Sequence, residues 1–284
     1  MNKRVYAIGN SGILLITVLL FVFSYESFFK EGINNGPFYF AFLGLIVICI
    51  NLIKSFRFYF IIAGQSSITK IEFFKQYLKT TPVSVILPFK LGDLFRIYCF
   101  GYQMGDVFKS LIFVLLARFF DTVALITVVV ATSILSEQSF SGIIWLLILF
   151  VAVIMILYFA VPSICRYWRT YLLEANANKR NLKLLEIICN VAELMEVISK
   201  VLKGKGTIVF SLSAFSWVIE LSGMYLLENA FGSGKNAGFV GNYLAAALGL
   251  TQLPAMDSFV VCTVVILLAV YVVLHFVASK GKVI

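Results

Sequence analysis

Charge is scarce in this sequence. Asp, Glu, Lys and Arg make up 13% of its 284 residues, about half the share of a soluble domain. His275 is the one histidine, which leaves no basis for a histidine-based nucleophile relay or a multi-histidine metal site. Cys49, Cys99, Cys165, Cys189 and Cys262 are scattered, without a CxxC or Cys/His cluster, so zinc-ribbon and disulfide-framework readings fall away. No metal or cofactor is expected. Apolar residues fill the space instead: 61% of the chain is hydrophobic and the mean hydropathy is +0.98. No soluble core of this size hides that much apolar surface, which excludes a soluble enzyme, a disordered chain and a collagen-like one. The composition predicts an all-α polytopic membrane protein, a single integral membrane domain over residues 1–284. Lys and Arg number 23 against 14 Asp and Glu, net +9. In a membrane protein that excess points to cytoplasmic loops and anionic head groups, not to nucleic acid.

Uncharged or nearly uncharged runs predict six full spans, at about 5–26, 38–60, 110–135, 141–163, 207–229 and 258–279. The first is read as a membrane helix rather than a signal peptide, because it is long and no A-x-A-like site follows. Two further apolar stretches, 80–104 and 236–256, are interrupted by Pro and Gly. They read as re-entrant elements, since broken backbone at membrane depth must be satisfied by protein or a polar cavity. Pro88, Gly92 and Pro254 are their expected hinges, and Pro82 and Pro88 bracket the apolar part of the first. Halves 1–165 and 166–284 would then form an inverted repeat of the kind found in transporters. A plain count of eight spans, with both elements crossing, stays open. Residues 181–203 carry apolar positions at spacings of three and four, and read as an amphipathic surface helix or a cytosolic helix packed on its neighbours. Cations at 3–4, 54–79, 166–205 and 280–282 predict cytoplasmic termini in the inner membrane.

Lys90, Asp93, Arg96, Arg118, Asp121 and Glu220 fall in or beside these apolar runs. Each unpaired charge at bilayer centre costs about 2.5–3.5 kcal/mol on insertion scales, so these groups must pair or face a polar cavity. Lys90, Asp93 and Arg96 are spaced by three and form one stripe if helical, either a snorkelling hairpin edge or a phosphate-binding face. Arg118 and Asp121 share a helix face, either as a stapling pair or as a head-group ligand with its orienting acid. Glu220 reads as a partner for a buried cation or as a proton carrier.

The segment 87–96, Leu-Pro-Phe-Lys-Leu-Gly-Asp-Leu-Phe-Arg, resembles the LP-x-[RK]-x-G-[ED]-x-x-R pattern of the lysylphosphatidylglycerol synthase transmembrane, or flippase-like, family. Gly105, the Ala117-Arg118-Phe119-Phe120-Asp121 helix, Ser216-Trp217 with Glu220, and Arg57 are similar to further family features in the same order. The chain departs near 250–258, where the family's Pro-Gly-Gly-x-Gly segment is reduced to Pro254 and Asp257. The resemblance covers the membrane half of the two-part proteins, without an aminoacyltransferase domain, so lipid aminoacylation is not implied. It implies translocation of a phosphate-bearing lipid or polyprenyl-linked glycan across the cytoplasmic membrane, in envelope lipid or polysaccharide synthesis. The expected partners are that lipid and an envelope glycosyltransferase. A soluble-anion transporter, a membrane enzyme acting on lipid-linked sugars, and a non-catalytic subunit of an envelope synthase stand as alternatives.

Overall fold

The computed structural model describes residues 3–25, 36–64, 68–87, 91–135, 142–174, 178–231, 239–247 and 254–280. They form helices α1 (Lys3–Ser24), α2 (Pro37–Ile62), α3 (Lys70–Ile86), α4 (Leu91–Met104), α5 (Val107–Leu135), α6 (Gly142–Glu174), α7 (Lys179–Phe231), α8 (Phe239–Ala247) and α9 (Pro254–Lys280). Among the described residues there is no β-strand. Helices α2, α5, α6, α7 and α9 are long and apolar enough to cross a membrane. The protein is thus an all-α, multi-pass membrane protein. The first expected span is the 22-residue helix α1, whose stretch Ile8–Ser24 is apolar but shorter than the other five.

Local chemistry sets the helix ends. Pro37 opens α2 after an extended Gly36, using a fixed φ and a missing N–H where neither costs anything. Thr69 starts α3 with a capping box: its hydroxyl accepts from the Glu72 N–H, while the Glu72 carboxylate accepts from the Thr69 N–H. Gly105, at φ +72°, stops α4 in the left-handed region, and the Asp106 carboxylate accepts from the Lys109 N–H at 3.0 Å to start α5. Pro254 is the first residue of α9, with Asp257 in its first turn.

Helices α2, α5 and α7 pack on one another, α3 pairs with α4, and α9 lies against α3 and α2. Two apolar clusters hold the bundle. One joins Leu43, Val47 and Ile50 of α2 to Leu125 and Val129 of α5, Leu221 and Met224 of α7, and Tyr243 of α8. The other joins Phe58 and Ile61 of α2 to Phe73 and Tyr77 of α3, Phe100 of α4, Phe113 and Phe120 of α5, and Val201 and Val209 of α7. Helix α6 stands at the outside, with Trp145, Leu149, Ile156 and Phe159 exposed, as lipid contact requires.

Three boundaries differ from the sequence reading. Residues 181–203 are not a separate surface helix; they are the first half of the 53-residue α7, which is about 80 Å long at 1.5 Å per residue. Gly204 and Gly206 cost only about 1 kcal/mol each against alanine. Val197, Val201 and Val209 are buried on both sides of them, and this packing carries the helix through. Apart from the backbone of its own helix and its chain neighbours, nothing lies within 4 Å of where a Gly204 Cβ would stand. Gly204→Ala is therefore expected to stabilise α7 by about 1 kcal/mol, seen as slower amide exchange around residue 204. The second difference is Pro82, which lies inside α3 rather than at its edge, so the hairpin runs from Lys70 and not from residue 80. Leu78, Thr80, Thr81, Pro82 and Val83 are all buried there. The Thr80 and Thr81 hydroxyls donate to the Gln76 and Tyr77 carbonyls, which keeps this turn tied beside the proline. The third is Pro162, which sits inside α6, so that helix continues 11 residues past the expected boundary at 163 to Glu174.

Helices α3 and α4 have 17 and 14 residues and α8 has 9, all below the roughly 20 needed to span. Pro88 and Lys90 lie outside the described residues.

Candidate functional site

The charged residues of three helices sit at one level, between the two apolar clusters. On α2, Lys54 and Arg57 follow Ile50 and precede Ile61. On α5, Arg118 and Asp121 lie between Phe113 and Leu125. On α7, Ser213, Trp217 and Glu220 lie between Val209 and Leu221. The α3–α4 hairpin adds Thr81, Ser84, Asp93 and Arg96 to this layer. These elements enclose a cavity of about 310 Å³, walled by Lys54, Arg57, Arg96, Arg118, Asp121 and Trp217 and by apolar side chains.

The pairing crosses helices. Arg57 grips the Asp121 carboxylate with both terminal nitrogens, its Nη2 at 2.8 Å from Oδ2, and also donates to the Ser213 hydroxyl at 3.0 Å. The Trp217 indole N–H donates to the Asp121 carbonyl at 3.0 Å. Arg118 donates to Asp93 from Nε and Nη2 at 2.7 and 2.6 Å. Lys54 donates to Glu220 at 2.6 Å, and the Tyr243 hydroxyl donates to the other Glu220 oxygen at 2.6 Å. Lys54 also lies over the Trp217 ring. Asp93, Asp121 and Glu220 are thus each taken by one cation at close range, in two cases bidentately, the geometry that makes buried guanidinium–carboxylate pairs strong.

Arg96 is different. Its Nη2 donates to the hydroxyls of Thr81 and Ser84, both at 3.1 Å. The carboxylate it approaches, Asp93, is 4.0 Å away and already held by Arg118. The guanidinium lies near the rings of Phe58 and Tyr77, 5.7 and 5.4 Å from their centroids, a cation–π setting. Its Nε is buried with no hydrogen-bond partner. Gly92 makes this arrangement possible: a Cβ there would stand 2.1 Å from the Ser84 Cα. Only glycine lets α4 approach α3 closely enough for Arg96 to reach Thr81 and Ser84.

The structure therefore gathers Asp93, Arg96, Arg118, Asp121 and Glu220 into one network. The i,i+3 contacts read from the sequence are the long ones, 3.9 Å for Arg118–Asp121 and 4.0 Å for Asp93–Arg96. Lys54 and Arg57 complete the network, although the sequence reading counts them among the cytoplasmic cations of 54–79. The available signal was their own spacing of three inside an apolar run, the pattern that singled out Arg118 and Asp121. Tyr243 carried no sequence signal. Among the described residues no group of His, Cys, Asp and Glu is arranged to hold a metal ion.

A buried layer of paired charges, lined by two short helices within a multi-pass bundle, defines a membrane protein with a polar chamber between its two apolar clusters. Residues 11–256 match the lysylphosphatidylglycerol synthase TM region family, and the chain belongs to that family. Membership places it among membrane proteins of lipid and envelope synthesis. No curated protein and no solved structure matches the chain.

Proposed function

We propose that the protein translocates a phosphate-bearing lipid across the cytoplasmic membrane during envelope lipid or polysaccharide synthesis, without making or breaking a covalent bond. Arg96 carries this reading. It is a buried guanidinium with hydroxyl partners and a free Nε, and among the described residues no carboxylate lies within hydrogen-bond distance of it. A guanidinium so placed is built to receive phosphate. Arg118, whose side chain is 35% exposed, stands beside it as the second cation a head group meets. The hairpin α3–α4 acts as a re-entrant element that brings Arg96 to mid-depth, with both termini cytoplasmic. Acyl or prenyl tails stay in lipid while the head crosses through the chamber. Transport suits the site better than catalysis, because Asp93, Asp121 and Glu220 are each bound to a cation and so are poor general bases.

The test is mass spectrometry of lipids that co-purify with wild-type protein and with Arg96→Gln. A specific phosphate-bearing lipid is expected with wild type and reduced at least tenfold in the variant, at an unchanged melting temperature. The fold survives this change because the Thr81 and Ser84 hydroxyls keep their bonds to the Tyr77 and Thr81 carbonyls. Equal bulk lipids in both samples would sink the reading.

A further inference from the structure

The end of α6 and the start of α7 carry none of the residues that wall the chamber. Helix α6 runs to Glu174, α7 begins at Lys179, and the two pack along each other. The 24 residues of α6 from Gly142 to Cys165 carry no charge, and roughly 20 suffice to cross a hydrocarbon core. Arg166 is the first charge on that helix, so the residues from 166 onward fall at head-group level.

One face of α6 continues through this boundary. Ile156, Phe159, Ser163, Tyr167 and Tyr171 follow one another at steps of three or four, the spacing of a single helix face, and all five are exposed. Cys165 and Leu172, seven apart, are buried on a different face. The lipid-facing stripe therefore runs on past Cys165, and its side chains change to rings with a polar tip. Tyr167, Trp168 and Tyr171 are 68, 45 and 55% exposed, and successive rings meet edge to face with centroids 6.2 and 5.7 Å apart. Tyrosine and tryptophan concentrate where a bilayer meets water, with the ring at the acyl boundary and the polar tip among head groups. Helix α7 adds Leu182, Leu184 and Ile187, also exposed. A bare apolar surface of this extent marks a contact with membrane or protein, and its continuity with the lipid-facing stripe favours membrane.

The charge around the rings has one dominant sign. Arg166, Arg169, Arg180 and Lys183 are exposed, and residues 166–183 hold five cations against the single acid Glu174. Each cation close to an anionic bilayer surface strengthens attachment about fivefold, and guanidinium groups pair well with phosphate. We propose that the adjoining ends of α6 and α7 form a docking surface for the anionic head groups of the leaflet from which they emerge. This surface is separate from the chamber, and it holds the outer arm of α7 against the bilayer.

Peptide-resolved hydrogen exchange of the full chain in nanodiscs tests this without reference to transport. The discs contain phosphatidylcholine alone or an equal mixture with phosphatidylglycerol. Residues 166–187 are expected to exchange at least fivefold more slowly in the anionic discs, while residues 209–224 exchange alike in both. Arg166→Gln/Arg169→Gln/Arg180→Gln/Lys183→Gln is expected to lose that difference. All four side chains are exposed, so the fold survives, and unchanged exchange at 209–224 checks it. Tyr167→Ser/Trp168→Ser/Tyr171→Ser is expected to speed exchange of 166–187 in both kinds of disc. Arg96→Gln is expected to keep the difference, because the chamber is a separate site. Equal exchange of wild-type 166–187 in the two discs overturns the proposal, and so does a difference that survives the fourfold variant. Loss of the difference in Arg96→Gln would assign it to the chamber and overturn the proposal as well. Inositol hexakisphosphate protecting 166–187 in phosphatidylcholine discs as well as phosphatidylglycerol does would give the surface to a soluble anion. Protection that arises only on adding a soluble protein fraction would give it to a protein; either result overturns the proposal. Lipid-dependent protection in a chain that moves no lipid in reconstituted vesicles would leave the docking surface standing and remove the translocation reading.

Discussion

Arg57→Met is expected to cost about 3–5 kcal/mol of stability, because it strands the Asp121 carboxylate in a buried site. Arg57 and Asp121 are 5% and 8% exposed, and they tie α2 to α5 through two nitrogen–oxygen contacts, with Ser213 of α7 as a third partner. Asp121→Leu is expected to be as damaging, since it leaves the guanidinium unpaired. The double variant Arg57→Met/Asp121→Leu is expected to recover most of the loss, as buried ion pairs replaced whole by apolar groups often do. Unfolding midpoints of the four proteins in one detergent measure this. Additive losses in the double variant would mean that the two residues act separately and that the pair does not hold these helices. Arg118 stands in the same relation to Asp93, so its neutralisation damages the fold as well as the site. Arg96 is the guanidinium whose removal isolates function.

Gly92→Ala has the second large effect. The added methyl would stand 2.1 Å from the Ser84 Cα and 2.7 Å from both the Ser84 nitrogen and the Val83 carbonyl oxygen. Carbon atoms approach comfortably only to about 3.5 Å, and these neighbours are backbone, not the flexible end of a side chain. The two helices must part by more than an ångström. A cost of about 3 kcal/mol is expected, at the upper end of ordinary overpacking. The bonds from Arg96 to Thr81 and Ser84 break with it. Co-purified phosphate-bearing lipid is expected to fall at least tenfold, although every charged residue is still present. A Gly92→Ala protein that melts and retains lipid like wild type would show that the close approach of α3 and α4 plays no part.

Much of this architecture is legible from the chain because lipid imposes a simple rule. An uncharged run of 20 residues has few alternatives to a helix, and all six expected spans are helical. Where the reading went astray, packing outweighed local signals. Pro82 looked like a boundary, yet it lies inside α3 in a buried turn, and α6 runs on through Pro162 past the end expected at 163. The helix read as ending at 203 and the span read as starting at 207 are one, because valines buried on either side carry α7 through Gly204 and Gly206. The candidate site was half legible. A charge in an apolar run announces itself, so Asp93, Arg96, Arg118, Asp121 and Glu220 stand out. Their partners do not, because pairing across helices depends on which faces meet, and sequence spacing reports only neighbours on the same helix. That is why Arg118 looked bound for Asp121 when it reaches Asp93. It is also why Arg57, the true partner of Asp121, was counted among the cytoplasmic cations of 54–79.

Helix α7 has a mechanical consequence. Its 53 residues place Lys183 and Glu220 on one uninterrupted rod. A rod of about 80 Å is more than twice the thickness of a hydrocarbon core, roughly 30 Å. Turning as one body, a helix of that length converts a push on its outer arm, around residues 180–195, into a movement of Ser213, Trp217 and Glu220 in the opposite sense about a pivot between them. Val201 and Val209, wedged among the aromatic side chains of α3, α4 and α5, lie where that fulcrum would be.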